Sequence, residues 1–149
     1  MSKDMKSKFV YVTYIRTTQQ KLWDALTKPE FQKVYWGVFQ ESTFEKGASW
    51  KMIGADSGKL FDSGEILESD PPRKLVIKWQ NEFKPELKAE GFSRCTYELA
   101  EDKGAIKLTV THESEAENSQ VIVAVSGGWP SILSNLKTWL ETGEPFQKR

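Results

Sequence analysis

The sequence has a single cysteine, Cys95, and a single histidine, His112. One cysteine excludes an intrachain disulfide, and a reducing compartment is its natural setting. One cysteine and one histidine also fall short of a structural zinc site. No carboxylates stand at ligand spacing to complete one, so no metal is expected. Net charge is missing too: 21 basic and 21 acidic side chains cancel over 149 residues. A balanced chain has no general attraction to nucleic acid or to anionic lipid, and neither is expected as a partner. Long apolar runs are absent. The longest, Val121 to Val125, is far too short to span a membrane, so no membrane insertion is expected. The charged stretch Met1 to Lys8 has no apolar core of signal-peptide length, and the protein is expected to be cytoplasmic. Phosphate cradles and nucleophile elbows are lacking. Gly127-Gly128-Trp129-Pro130 is followed by no Lys-Ser/Thr, and no Gly-x-Ser-x-Gly occurs. No cofactor is expected.

Aromatic residues are plentiful: six Trp, eight Phe and four Tyr make 12% of the chain. They serve either a well-filled core or an aromatic cavity. A single domain of this length buries roughly 70% of its unfolded surface, which is enough for such a core. Phe9 to Ile15 reads as a strand of β-branched and aromatic residues. Thr17 or Thr18 then caps a short helix carrying Leu22, Trp23 and Leu26. Pro29 opens a second short helix, because its missing N–H costs nothing in a first turn. From Val38 the pattern becomes short strands between turn signals. These are Ala48 to Ile53, Leu60 to Ser69, Lys74 to Gln80, Phe92 to Glu101 and Ala105 to Glu113. Asn81 to Gly91 is polar, contains Pro85, and reads as a loop. Asp102-Lys103-Gly104 reads as a hairpin turn. Trp129, Ile132, Leu133, Leu136 and Leu140 form one helical stripe, with Gly143 as C-cap and Pro145 beyond it. Gly127-Gly128 reads as a flexible start to that helix. Ser119 to Val125 fits either a short helix or an extended segment.

Strands in one uninterrupted series with helices at both ends make an α+β layout with an antiparallel sheet. No repeat or linker divides the chain. Residues 1–8 read as a flexible N-terminus, 9–146 as one domain and 147–149 as a tail.

Chemistry-bearing groups are few. Cys95 and His112 are placed facing inward on neighbouring strands, but a buried cysteine is ordinarily inert. His112 continues the inward face of Ile106, Leu108 and Val110. It is either a hydrogen-bonded core residue or a polar group at a ligand site. Glu65 and Asp70 face opposite sides of a regular strand, which disfavours a carboxylate pair there. No residue is assigned a catalytic role.

Several segments together resemble the activator-of-heat-shock-ATPase-like branch of the START-related superfamily, which also holds pollen-allergen proteins and polyketide cyclases. They are Leu22-Trp23-Asp24-Ala25-Leu26-Thr27 with Pro29-Glu30, Gly64-Glu65-Ile66-Leu67-Glu68, and Asp70-Pro71-Pro72-Arg73 running into Lys74 to Trp79. Then come Leu108 to His112, Gly128-Trp129, and Leu136-Lys137 through Leu140-Glu141-Thr142-Gly143. Family members often carry two glycines after the second strand, and here the pair is Gly47-Ala48. The resemblance implies a helix-grip fold, in which a curved antiparallel sheet of about six to seven strands holds the long C-terminal helix on its concave face. It implies a cavity between the two.

Three functions follow as expectations. The first is binding of a hydrophobic small molecule, with Trp36, Met52, Phe61, Trp79, Tyr97, His112, Trp129 and Leu133 as lining residues. The second is a co-chaperone-like interaction with a chaperone or other protein. The third is a cyclase- or hydrolase-like enzyme, for which His112 is the strongest acid–base group.

Overall fold

The computed structural model describes residues 4–148. The elements run β1 (Ser7–Ile15), α1 (Gln19–Thr27), α2 (Pro29–Tyr35), β2 (Val38–Glu41), β3 (Ser49–Gly54), β4 (Leu60–Asp70), β5 (Lys74–Asn81), α3 (Pro85–Glu90), β6 (Ser93–Asp102), β7 (Ala105–Ser114) and α4 (Gln120–Thr142). The strands form one curled, seven-stranded antiparallel sheet in the order β1-β7-β6-β5-β4-β3-β2. Every link from β2 to β7 joins neighbours in the sheet. Only β1 lies away from its successor: it pairs with β7 at one edge, while β2 forms the other edge. The helices α1 and α2 carry the chain between those edges. This is the expected α+β helix-grip fold, with α4 held against the sheet.

Local chemistry explains most boundaries. Thr18 caps α1, its hydroxyl accepting from the Lys21 N–H at 3.1 Å. Pro29 opens α2. The β6–β7 hairpin turns through Lys103 and Gly104, both at positive φ (55° and 81°), the conformation that matches the twist of the flanking strands. Gly143 ends α4 in the left-handed conformation, its N–H donating to the Trp139 carbonyl at 2.8 Å.

Four boundaries differ from the sequence reading. The segment expected as a loop contains α3. Pro85 sits in its first turn, Asn81 Oδ1 accepts from the N–H groups of Phe83 and Lys84 just before it, and buried Leu87 anchors it. The C-terminal helix begins at Gln120, well before Trp129, so Gly127 and Gly128 lie in its interior and not at its start. Ser119 caps it by accepting from the Ile122 N–H, and Glu90 of α3 receives both the Ser119 hydroxyl and the Gln120 N–H. β1 starts at Ser7, where Ser7 and Lys8 pair with Ser114 and Glu113, so the segment expected to be flexible is shortened by those two residues. Phe92 precedes β6 and is half-exposed, with the Lys78 ammonium 4.3 Å over its ring. The first three residues of the expected flexible N-terminus, and Arg149 of the tail, lie outside the described residues.

The core lies between sheet and α4. Ile106, Leu108, Val110 and His112 of β7 all point into it, together with Cys95, Tyr97 and Leu99 of β6 and Leu75, Ile77 and Trp79 of β5. From α4, Trp129, Leu133 and Leu136 meet them. Gly64 permits the close packing of β4 on its neighbours. It stands opposite both Trp50 and Trp79, whose rings pack 4.6 Å apart, and a Cβ there would lie 1.6 Å from the Lys78 carbonyl oxygen.

Candidate functional site

A cavity of about 200 Å³ lies between the sheet and the N-terminal half of α4. The sheet supplies Met52, Asp62, Trp79 and Asn81. Trp36 comes from the end of α2 and Leu87 from α3. Val121, Ala124, Val125, Gly128, Trp129 and Ile132 of α4 make the remaining wall. The surface is overwhelmingly apolar, as ligand sites are.

Four of the expected lining residues meet here: Trp36, Met52, Trp79 and Trp129. The rings of Trp36 and Trp79 each pack on Trp129, at 5.4 Å and 6.0 Å between centroids. The structure places the other four elsewhere, each for a physical reason. Leu133 follows the cavity-lining Ile132 but sits on the neighbouring face of α4, where it is buried in the core. Tyr97 lies edge-on beneath Trp129, 6.0 Å away and fully buried. Its hydroxyl makes no well-formed hydrogen bond, Gln40 and Cys95 being its polar neighbours. Phe61 points away from the cavity and packs edge-on against Phe83 at 4.9 Å. A regular strand would put Phe61 and Leu67 on one face. Asp62, Gly64 and Ile66 share the inward face by unbroken alternation, which puts Phe61 on the outward one; the bulge between Ile66 and Glu68 shifts the parity only beyond it.

His112 is the fourth, and its ring is wholly committed to the core. The Trp129 indole N–H donates to His112 Nδ1 at 3.2 Å. An indole can only donate, so Nδ1 carries the lone pair and the proton sits on Nε2. Nε2–H then donates to Ser93 Oγ at 2.7 Å, and the Ser93 hydroxyl donates to the Trp79 carbonyl at 3.3 Å. This chain of bonds ties α4 to three strands, β7, β6 and β5. Burial pushes the imidazole down to about 4, which keeps it neutral and keeps Nδ1 an acceptor. Both nitrogens are used inside the fold, which leaves neither for acid–base work at the cavity. Cys95 stands directly opposite His112 in the β6–β7 register, but burial raises its thiol well above the ordinary range. A cysteine–histidine nucleophile pair is not formed. Among the described residues no cluster of three or more His, Cys, Asp or Glu could hold a metal ion. Nor is any of their helices long and apolar enough to cross a membrane.

The residue that the sequence reading missed is Asp62. It is buried, and its Oδ1 accepts from the Trp79 indole N–H at 2.8 Å. Desolvation raises its carboxyl to about 6, partly offset by the Trp79 bond and assisted by the nearby charge of Glu82. Its signal in the sequence was the alternation Asp62-Gly64-Ile66, which puts it on the same face of β4 as buried Ile66.

The sheet, the long helix across it and the cavity between them define a helix-grip domain. Residues 16–141 match the family described as Activator of Hsp90 ATPase homolog 1-like protein, and the chain belongs to that family. No curated protein matches it. Among solved structures, CalU16 from Micromonospora echinospora is 21% identical with a TM-score of 0.72, the match covering 91% of this chain and 77% of that one. Protein MLL2253 from Mesorhizobium loti is 21% identical with a TM-score of 0.76, over 90% of this chain and 96% of the other. The Aha1 dimer from Colwellia psychrerythraea is 16% identical with a TM-score of 0.73, over 92% and 98%. At these identities the likeness is one of fold.

Proposed function

We propose that this domain binds an apolar small molecule in the cavity between the sheet and α4. The observation that carries the reading is the cavity itself, an open apolar volume walled by three indoles. A thermal-stability screen with a library of hydrophobic compounds tests it. A ligand that binds only the folded chain, present at a hundred times its dissociation constant, adds about 2.7 kcal/mol. Val125→Trp, which fills the cavity from the α4 side, should abolish the response. A response that survives this substitution would place the binding elsewhere, and a library that stabilises nothing would remove the proposal.

A protein-contact reading has one observation in its favour. Val10, Val12 and Tyr14 form a half-exposed apolar row on the outward face of edge strand β1. If the chain acts on a heat-shock ATPase as the family description suggests, Val12→Glu should abolish stimulation of that ATPase while leaving the fold intact. Equal stimulation by both proteins would exclude the row.

A further inference from the structure

Among the described residues, Asp62 is the only charged side chain in the cavity wall, and no Lys, Arg or His accompanies it there. One charged group acts on it, and the sign is the same. That group is Glu82, itself paired with Lys88 at 2.8 Å. Trp79 holds Oδ1, while Oδ2 accepts no hydrogen bond from the described residues. A buried carboxylate is costly unless a cation or several donors compensate it. The protein supplies a single donor and no cation. It does supply aromatic faces, since Trp36, Trp79 and Trp129 stand around the same space. Indole faces attract cations, and do so more strongly where water is excluded.

We infer that the cavity takes a small amine, its ammonium group set against Asp62 Oδ2 and its apolar body among the indoles and the α4 aliphatic side chains. This rests on the reading of the cavity as a ligand site and narrows it to a chemical class. Size limits the body further. An apolar cavity of about 150 Å³ holds benzene, so about 200 Å³ admits one ring with a short chain. Large lipids and polycyclic compounds do not fit this volume. An anionic ligand would add a second negative charge beside Asp62 and is disfavoured.

Three probes of nearly equal shape test the inference: phenethylamine, phenethyl alcohol and phenylacetate. Each is titrated into the full chain and into Asp62→Asn, with tryptophan fluorescence and calorimetry as readouts. The wild type should bind the amine about tenfold or more tighter than the alcohol, with phenylacetate weakest. In Asp62→Asn the preference for the amine should fall to the small residue that the indole faces alone supply, about threefold or less, while the alcohol binds as before. Equal affinity of the wild type for amine and alcohol would overturn the inference and leave the apolar cavity standing. A preference that persists undiminished in Asp62→Asn would overturn it as well, because the charge selection would then arise elsewhere. No saturable binding of any probe up to about 10 mM would remove the inference and, for ligands of this size, the cavity reading with it.

A second measurement needs no variant. Near pH 6 the Asp62 carboxyl is part protonated, so binding an ammonium group must release protons. Glu82 is already ionised there and His112 is neutral, so neither supplies the signal. The heat of binding should therefore depend on the ionisation enthalpy of the buffer for the amine and not for the alcohol. Amine binding without proton release would overturn the assignment of Asp62.

Discussion

Asp62→Asn should make the protein lose stability faster on acidification, although it removes an acid. Two buried groups with opposite linkage set this expectation. His112 falls from 6.5 to about 4 on burial. Between those values the unfolded chain binds a proton that the folded chain refuses, so stability drops as the pH falls. Asp62 rises from 3.8 to about 6. Between those values the folded chain binds the extra proton, so stability grows as the pH falls. Each slope is about 1.4 kcal/mol per pH unit. Below about pH 6 the two nearly cancel, and only the histidine slope is felt between there and 6.5. On going from about pH 6.5 to about pH 5, the wild type should lose less than about 1 kcal/mol and the variant about 2 kcal/mol. Asparagine keeps the shape of Asp62 and can still accept from the Trp79 indole, so the fold survives. Surface carboxylates titrate in both proteins and drop out of the difference. Glu82, held at about 2 by Lys88 and Ser63, contributes only below its ordinary 4.5. Cys95 and Tyr97, both raised by burial, stay protonated throughout. Urea denaturation at a series of pH values measures the two profiles. If they run parallel, Asp62 does not titrate in the fold as a desolvated carboxyl, and the reasoning fails.

Trp129→Ala removes a buried indole and the donor to His112 Nδ1, and should cost about 3–5 kcal/mol. A loss below about 1 kcal/mol would show that α4 does not dock through this residue. Tyr97→Phe removes an enclosed hydroxyl with no well-formed hydrogen bond, so stability should stay within about 1 kcal/mol of wild type or rise. A loss above about 2 kcal/mol in chemical denaturation would reveal a partner for that hydroxyl. Gly64→Ala drives a methyl group into the Lys78 carbonyl and should prevent native β4–β5 pairing. An unchanged melting temperature with native near-ultraviolet dichroism would refute this.

The fold was legible because its elements obey short-range rules that repeat. The inward face of β7 could be read by parity from Ile106 to His112, and the stripe from Trp129 to Leu140 marked the packed half of α4. Half of the site was not legible. α3 obeys the same proline rule that located α2, but its one apolar anchor, Leu87, gives no periodicity in six residues. The first turns of α4 run through two glycines and a proline, and local propensity there argues against a helix that tertiary contacts enforce. Asp62 was hidden because both faces of β4 carry apolar residues, Phe61 and Leu67 on one and Ile66 on the other, so alternation alone does not choose the inward face. The assignment of His112 hung on a partner 17 residues away in sequence, Trp129, whose indole fixes the tautomer.

The parts that escaped the sequence reading are also the parts that make the cavity, and one cause serves for both. Pro130 has no N–H to give the Ser126 carbonyl, and Gly127 and Gly128 each cost about 1 kcal/mol relative to alanine in a helix interior. The first two turns of α4 therefore hold little stability of their own. Contacts from outside keep them helical: the Ser119 cap, Glu90 reaching across from α3, and the buried side chains of Val121 and Ile122. No crowding requires glycine at position 127, where a Cβ would meet nothing within 4 Å. Beyond Pro130 the helix needs no such support, because Leu133 and Leu136 are fully packed on the sheet. The cavity opens under the half that is externally supported and closes under the half that is well packed. Asp62 stands at the open end, and His112, with both nitrogens bonded, stands where the close packing begins. These two buried side chains thus have separate places: His112 fixes the helix to the sheet, and Asp62 lines the cavity between them.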